Sequence, residues 1–236
     1  MTPRKYEQRQ RAQAADETRR RILDALYERL REAPSEPVSL DKVARLAGVA
    51  RSTVYLVFGS RTALFDALGA DLLHRGGFRS MVESVLQPDA LAGLREGLRG
   101  GALMFAAHRD VMRALYSMAQ LDADAVGGAV QRMERGRASG MDGLAQRLAE
   151  QGVLREGVTA QDASTALWLL SSFDSFDLLY TGRGLTVDQV AESLVRAAEQ
   201  ALCHAPTRHR SDPASGSASS GGAGVRPVVG DEDAAQ

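Results

Sequence analysis

Arg51, Ser52, Thr53 and Tyr55 stand within five residues of one another in a short apolar-patterned run, and together they suit nucleic acid. An arginine can reach a phosphate or pair bidentately with a guanine, and hydroxyls can bond phosphate oxygens or base edges. Enzymatic constellations are missing. His74, His108, His204 and His209 are scattered, and no HExxH, CxxC or GxSxG occurs. The glycines at 97–101 lie in a helical pattern with no preceding strand, which argues against a phosphate loop. His108 and Asp110 read as polar residues at a helix end, since side chains two apart on a helix diverge. No catalytic residue, metal ligand or cofactor is expected, and the chain reads as a non-enzyme.

A second group has a different chemistry. Met104, Phe105, Met112, Tyr116 and Met118 come from neighbouring segments, and Trp168, Phe173, Phe176 and Tyr180 from a later one. Such stripes are either ordinary core or the wall of a small-molecule pocket. The candidate lining is Phe105, Met112, Tyr116, Trp168, Phe173, Asp177 and Tyr180. Asp174 and Asp177 lie amid Phe173, Phe176, Leu178 and Leu179, where a carboxylate needs a partner. They either lie on a solvated edge, bridge to an arginine across a dimer, or anchor a cationic ligand.

The elements that must position the first group are legible. Apolar residues predict helices at 40–46 and 51–58, with Gly48 in a left-handed turn between them, a conformation cheap only for glycine. Ala44, four residues earlier, leaves room for a steep crossing, and Val49 and Val54 fill the angle. This is helix-turn-helix spacing. A preceding amphipathic helix over 16–33 carries Ile22, Leu26 and Leu30 on one stripe and is stopped by Pro34 and Pro37. Arg19, Arg20 and Arg21 point three ways from its start, so one of them could face DNA. Ser39 is placed to cap the next helix, with Asp41 in its first turn. After Gly59, Ser60 caps a fourth helix through Leu64, Phe65, Leu68 and Leu72, ending near Gly76-Gly77. Arg61 in its first turn opposes the helix dipole, which a phosphate partner would explain.

Thr18-Arg-Arg-Arg-Ile-Leu-Asp-Ala, the Ala44–Gly48–Val54 spacing, and Thr53-Val-Tyr-Leu-Val-Phe58-Gly-Ser60-Arg61-Thr-Ala-Leu64 occur in order. This combination resembles the TetR family of transcriptional regulators. The resemblance implies an all-α homodimer with an N-terminal three-helix, helix-turn-helix DNA-binding domain and a C-terminal helical ligand-binding and dimerisation domain. It implies a repressor of palindromic double-stranded operator DNA, released by a small-molecule effector, with Ser39, Arg51, Ser52, Thr53, Tyr55 and Arg61 on the operator. Two residues depart from the family pattern. Val57 stands where the family often has a phosphate-binding His or Tyr. Ala50 replaces the usual Ser at the recognition-helix cap, a loss of roughly 1 kcal/mol. They keep an alternative open, a helical ligand-binding or protein-interaction module with weakened DNA binding.

Charge supports the first reading. The net charge of −1 hides 13 Lys/Arg against 8 Asp/Glu in residues 1–61, and 16 against 22 in the remainder. A basic N-terminal part is a footprint for nucleic acid. The single Cys203 fits a reducing compartment, and no apolar run reaches membrane-spanning length. A cytoplasmic protein without membrane association is expected.

The expected organisation is a flexible arm at 1–15, a DNA-binding domain at 16–62, a regulatory and dimerisation domain at 63–204, and a disordered tail at 205–236. The tail is rich in Ser, Gly, Ala and Pro and has little apolar surface to offset its ordering entropy. Within the third segment, Thr159 and Thr186 cap the last two long helices. Ala163, Leu167, Leu170, Phe173 and Phe176 of the first and Val190, Ala191, Leu194, Val195, Ala198, Ala201 and Leu202 of the second make broad apolar faces, which resemble the family's dimerising pair or else fill a core.

Overall fold

A long run of Arg, Glu, Gln and Ala with no glycine begins the chain, and in the computed structural model it is one helix, α1 (Pro3–Glu32). The structure describes residues 3–75, 82, 83 and 85–204, with side chains from residue 8 onward. The helix begins at Pro3 and not near Asp16, so the segment expected as an arm is helical from Pro3 onward. Helix propensity alone sustains this first half, because the buried stripe starts only at Ile22 and runs through Leu26 to Leu30. Gly76-Gly77 and the tail at 205–236 lie outside the described residues.

Arg29 closes α1 in a way its charge alone does not suggest. It is 2% exposed, and it donates to the carbonyls of Ala33 and Pro37 and to the Glu36 carboxylate. A cation over the last carbonyls of a helix completes backbone groups that have no helical partner. The Pro34–Pro37 loop is thereby folded back onto α1.

Helices α2 (Leu40–Leu46) and α3 (Arg51–Phe58) meet as the spacing predicts. Gly48 has φ 64°, and Val49 N–H returns to the Ala44 carbonyl at 3.0 Å. Arg21 locks this turn from outside by donating to the carbonyls of Ala47 (2.5 Å) and Gly48 (3.0 Å). Helix α4 (Arg61–Arg75) is capped by Ser60, whose hydroxyl accepts from Ala63 N–H at 3.0 Å.

Beyond α4 come α5 (Ala90–Ala107), α6 (Arg109–Leu121), a π-helical turn at Ala123–Gly127, and α7 (Gly128–Glu150). Asp89 caps α5 through the N–H groups of Leu91 and Ala92, and Asp122 caps the π turn through Ala125. Helix α8 (Ala160–Leu170) opens with a capping box between Thr159 and Asp162, and α10 (Val187–Leu202) with one between Thr186 and Gln189. The apolar pattern from Ala163 to Phe176 reads as one helix, but the chain breaks it at Ser171-Ser172. There the Ser172 hydroxyl accepts from Ser175 N–H and starts α9 (Phe173–Asp177), followed by a π turn at Leu178–Gly182. A serine that bonds nearby backbone competes with helix continuation.

Helices α7 and α8 pack along each other, α5 packs on α10, and α4 on α7. Among the described residues there is no strand, only an antiparallel bridge between Leu154 and Cys203 that ties the end of α10 to the α7–α8 loop. The fold class is all-α as expected. The described residues form one compact unit, and α4 runs through the expected boundary at 62/63.

Candidate DNA-reading head and regulatory cavity

Helix α3 is anchored by Val54 and Phe58, both buried against α1, α2 and α4. This fixes which side chains face out. Arg51, Ser52 and Tyr55 are exposed, and Thr53 is partly covered. Arg51 pairs with Asp41 across the turn at 3.0 Å and lies over the Tyr55 ring at 5.8 Å. An exposed pair of this kind contributes little stability, so the arginine can exchange Asp41 for a phosphate or base at small cost. Leu56 was not singled out by the residue types. It is 85% exposed on this helix, and an apolar side chain there can meet a thymine methyl. The signal available was its phase, two residues from both Val54 and Phe58.

Ser39 occupies the cap position of α2 with extended backbone, but its hydroxyl makes no capping hydrogen bond and stays on the surface. Ala50 at the start of α3 likewise provides no cap. The three arginines of α1 separate as expected. Arg21 holds the turn, Arg19 lies over the Phe58 ring at 4.6 Å, and Arg20 is exposed.

Arg61 has a partner within its own chain. Its guanidinium pairs with Asp122 and lies over the Phe65 ring at 5.5 Å. Thr62 beside it donates to the Asp124 carbonyl at 3.2 Å. A carboxylate brought in by the fold thus satisfies the cation that opposes the α4 dipole, and the head is fastened to the π turn before α7.

The same helix α4 contributes to a cavity of about 550 Å³ with α5, α6 and α7. Of the expected lining, Phe105, Met112 and Tyr116 face it. The Tyr116 hydroxyl donates to Glu134, and burial together with that carboxylate raises its pKa. The other four candidates do not line it: Trp168 lies on the outward side of α8, and Phe173, Asp177 and Tyr180 follow the break at Ser171-Ser172. Trp168 is on the outer surface under Arg137, at 5.0 Å. Phe173 is core, edge-on to Phe105 at 5.5 Å and tilted against Tyr116 at 5.4 Å. Tyr180 stacks on Phe176 at 5.1 Å beside a separate shallow hollow.

Asp177 is not an anchor for a cation from outside. It accepts from Arg109 at 2.7 Å, Arg113 at 2.5 Å and Thr181 at 2.6 Å, all in its own chain. Asp174 stands outside this knot at 3.5 Å from Arg113. Burial alone would raise the Asp177 pKa, but its three donors outweigh that and hold it at about 2. A carboxylate with a depressed folded pKa stabilises above its unfolded pKa, and the contribution is lost as pH falls through the folded value. Acid titration should therefore remove on the order of 2 kcal/mol between about pH 4 and pH 2. Urea unfolding of wild type and Asp177→Asn across that window checks it, and equal slopes for both proteins would reject it.

His108, at the α5–α6 junction, bonds the Tyr27 hydroxyl of α1 through Nδ1 at 2.8 Å. Burial lowers its pKa, with Arg75 adding to the effect. Asp110 is occupied by Arg109 at 2.8 Å, so the two residues form no acid–base pair. Among the described residues no group of His, Cys, Asp or Glu is arranged to hold a metal ion, and no helix is long and apolar enough to cross a membrane.

A helix-turn-helix head built onto a helical body with an internal cavity defines a class of one-chain transcriptional regulators. Residues 22–68 match the family model described as bacterial regulatory proteins, tetR family. The chain is similar in structure to NalD of Pseudomonas aeruginosa, the secondary repressor of the MexAB-OprM multidrug efflux pump, at 25% identity and TM-score 0.61. That match covers 81% of this chain and 98% of NalD. A TetR transcription regulator from Haloarcula marismortui shares 17% identity at TM-score 0.63, covering 79% and 99% of the two chains. A TetR-like regulator from Rhodococcus sp. RHA1 shares 23% at TM-score 0.56, covering 78% and 94%. No curated protein matches the chain. Residues 22–68 thus match the tetR-family model, and the chain shares its fold with TetR-family regulators.

Proposed function

We propose that this chain is a homodimeric repressor that binds a palindromic operator and is released when a small molecule fills the α4–α7 cavity. The observation that carries this reading is the double use of α4. Its first turns pack Leu64 and Phe65 into the head, while Asp66, Gly69, Ala70 and Leu73 line the cavity. A ligand that displaces α4 therefore displaces the reading head, and its leverage is its difference in affinity between the two positions. Such coupling is typically about 1–3 kcal/mol. Selection of bound sequences from random duplex DNA, followed by anisotropy titration, tests it. Recovery of no consensus would favour the alternative, a ligand-binding module with weakened DNA affinity, to which Ala50 and Val57 still point.

Two-fold symmetry of protein and operator requires a surface that joins two copies. The apolar face of α10 is not that surface, since Val190, Leu194, Val195 and Leu202 are buried within one chain. Trp168 and Leu169 of α8 and Leu178 of the following π turn are exposed and apolar instead, at 45%, 59% and 70%. Leu169→Glu is expected to sediment as a folded monomer and to lose tight operator binding together with dimerisation. A variant that remains dimeric would move the interface elsewhere. Leu194→Glu should unfold the chain, because it buries an unpaired charge.

A further inference from the structure

We infer that the cavity selects an uncharged, rigid and largely apolar molecule, and rejects cationic amphiphiles and carboxylate-bearing chains of similar size. This rests on the reading of the cavity as an effector site. Charged side chains do line the cavity, yet each described one already has its counterpart in the chain. Glu134 is held by Arg137 and by the Tyr116 hydroxyl, and Arg137 also donates to the Trp168 carbonyl and, at 3.0 Å, to Ser171 Oγ. Arg147 donates to the carbonyls of Val85 (2.5 Å) and Gln87. Asp66 is ion-paired with the half-exposed Arg132, although its buried Oδ1 accepts no hydrogen bond.

An ammonium ligand would have to take Glu134 from Arg137, and a carboxylate would have to take Arg137 from Glu134 or Arg147 from two carbonyls. Each exchange replaces one satisfied ion with another and adds the desolvation of the ligand's own charge. The Glu134–Arg137 pair is only 25% and 15% exposed, so water does little to soften the exchange there. At the rim, Arg132 is 50% exposed and the cost is smaller. An uncharged molecule avoids all of these exchanges.

Shape adds the second restriction. Gly136, Gly140 and Gly143 fall on one stripe of α7 and Gly101 on α5, all lining the cavity. A Cβ at any of the four would meet nothing within 4 Å. These walls are bare backbone across open space, with Phe105 and Tyr116 as the aromatic floor. Helical glycine lowers helix stability, so the open wall is maintained at a cost. A flat, unadaptable wall suits a planar ring system better than a flexible chain, and Met104, Met112, Met133 and Met141 can adjust around its edges.

The test is calorimetric and thermal-shift titration of the full chain with steroid-sized polycyclic ketones, their quaternary-ammonium analogues and their carboxylate analogues. At least one neutral compound should bind at least about tenfold more tightly than its charged counterparts. Equal or tighter binding of a charged analogue overturns the inference, as does no binding by any neutral compound. Gly140→Leu should weaken the neutral ligand at least about tenfold without lowering the melting temperature of the free protein. Gly140→Ala serves as the control for the helix. Unchanged affinity in the leucine variant also overturns the inference. Operator release is measured separately by anisotropy. A neutral ligand that binds the cavity but leaves operator affinity unchanged refutes the effector reading and leaves this inference standing.

Discussion

Phe173→Ala is expected to lower the stability of the fold by about 3–5 kcal/mol, the usual cost of removing a fully buried phenylalanine. The ring contacts Phe105, Tyr116 and Phe176, and the Arg113 guanidinium lies over it at 4.8 Å. Its loss empties the joint between α5, α6 and α9, and also loosens the Asp177 knot that Arg113 helps to close. Phe105→Ala differs in kind, because Phe105 faces the cavity on one side and the core on the other. It should both weaken ligand binding and cost stability. Urea unfolding with parallel ligand titration separates the two. A Phe173→Ala protein of wild-type stability but weakened ligand response would return Phe173 to the cavity wall.

Arg51→Ala is expected to weaken the selected operator by about 1–3 kcal/mol, roughly 5- to 150-fold, with the loss concentrated at the base pair the arginine reads. Arg51 is exposed, and its ion pair to Asp41 is at the surface, so the same substitution should barely change thermal stability. Leu56→Ala should relax discrimination at a neighbouring thymine with a smaller total effect. Arg61→Ala is predicted to act otherwise. If the arginine contacts the phosphate backbone, all sequences weaken alike and the salt dependence flattens. Should its work be the Asp122 pair, the salt slope is kept and Asp122→Ala reproduces the phenotype. Anisotropy titrations at several salt concentrations on the operator and on a scrambled duplex distinguish these results. An Arg51→Ala loss equal on both duplexes would reassign Arg51 to the backbone.

How much was legible before the structure depended on the range of each interaction. The head is built from contacts close along the chain. Gly48 between two short helices, Ala44 at the crossing, and Val54 and Phe58 in phase are a local pattern, so residue types and spacing were enough to place Arg51, Ser52 and Tyr55 on its face. Capping at Ser60, Thr159 and Thr186 is equally local, and so is the amphipathic second half of α1. Its first half shows the limit of pattern reading. A segment with no apolar stripe looked like an arm, whereas intrinsic propensity made it helix.

The cavity could not be read in this way, because it depends on which faces of distant helices oppose one another. Trp168, Phe173, Asp177 and Tyr180 have the same residue types as Phe105, Met112 and Tyr116, and only packing sends one set away from the cavity and the other into it. The break at Ser171-Ser172 redirected α9, and two arginines of α6 claimed Asp177. Burial of the α10 face was undecidable for the same reason, since an apolar stripe specifies that it must be covered and not by what. Tertiary structure chose its own chain for α10 and left Trp168, Leu169 and Leu178 outside. The partner of Arg61 was decided there too, by a carboxylate 61 residues away that no spacing rule could name.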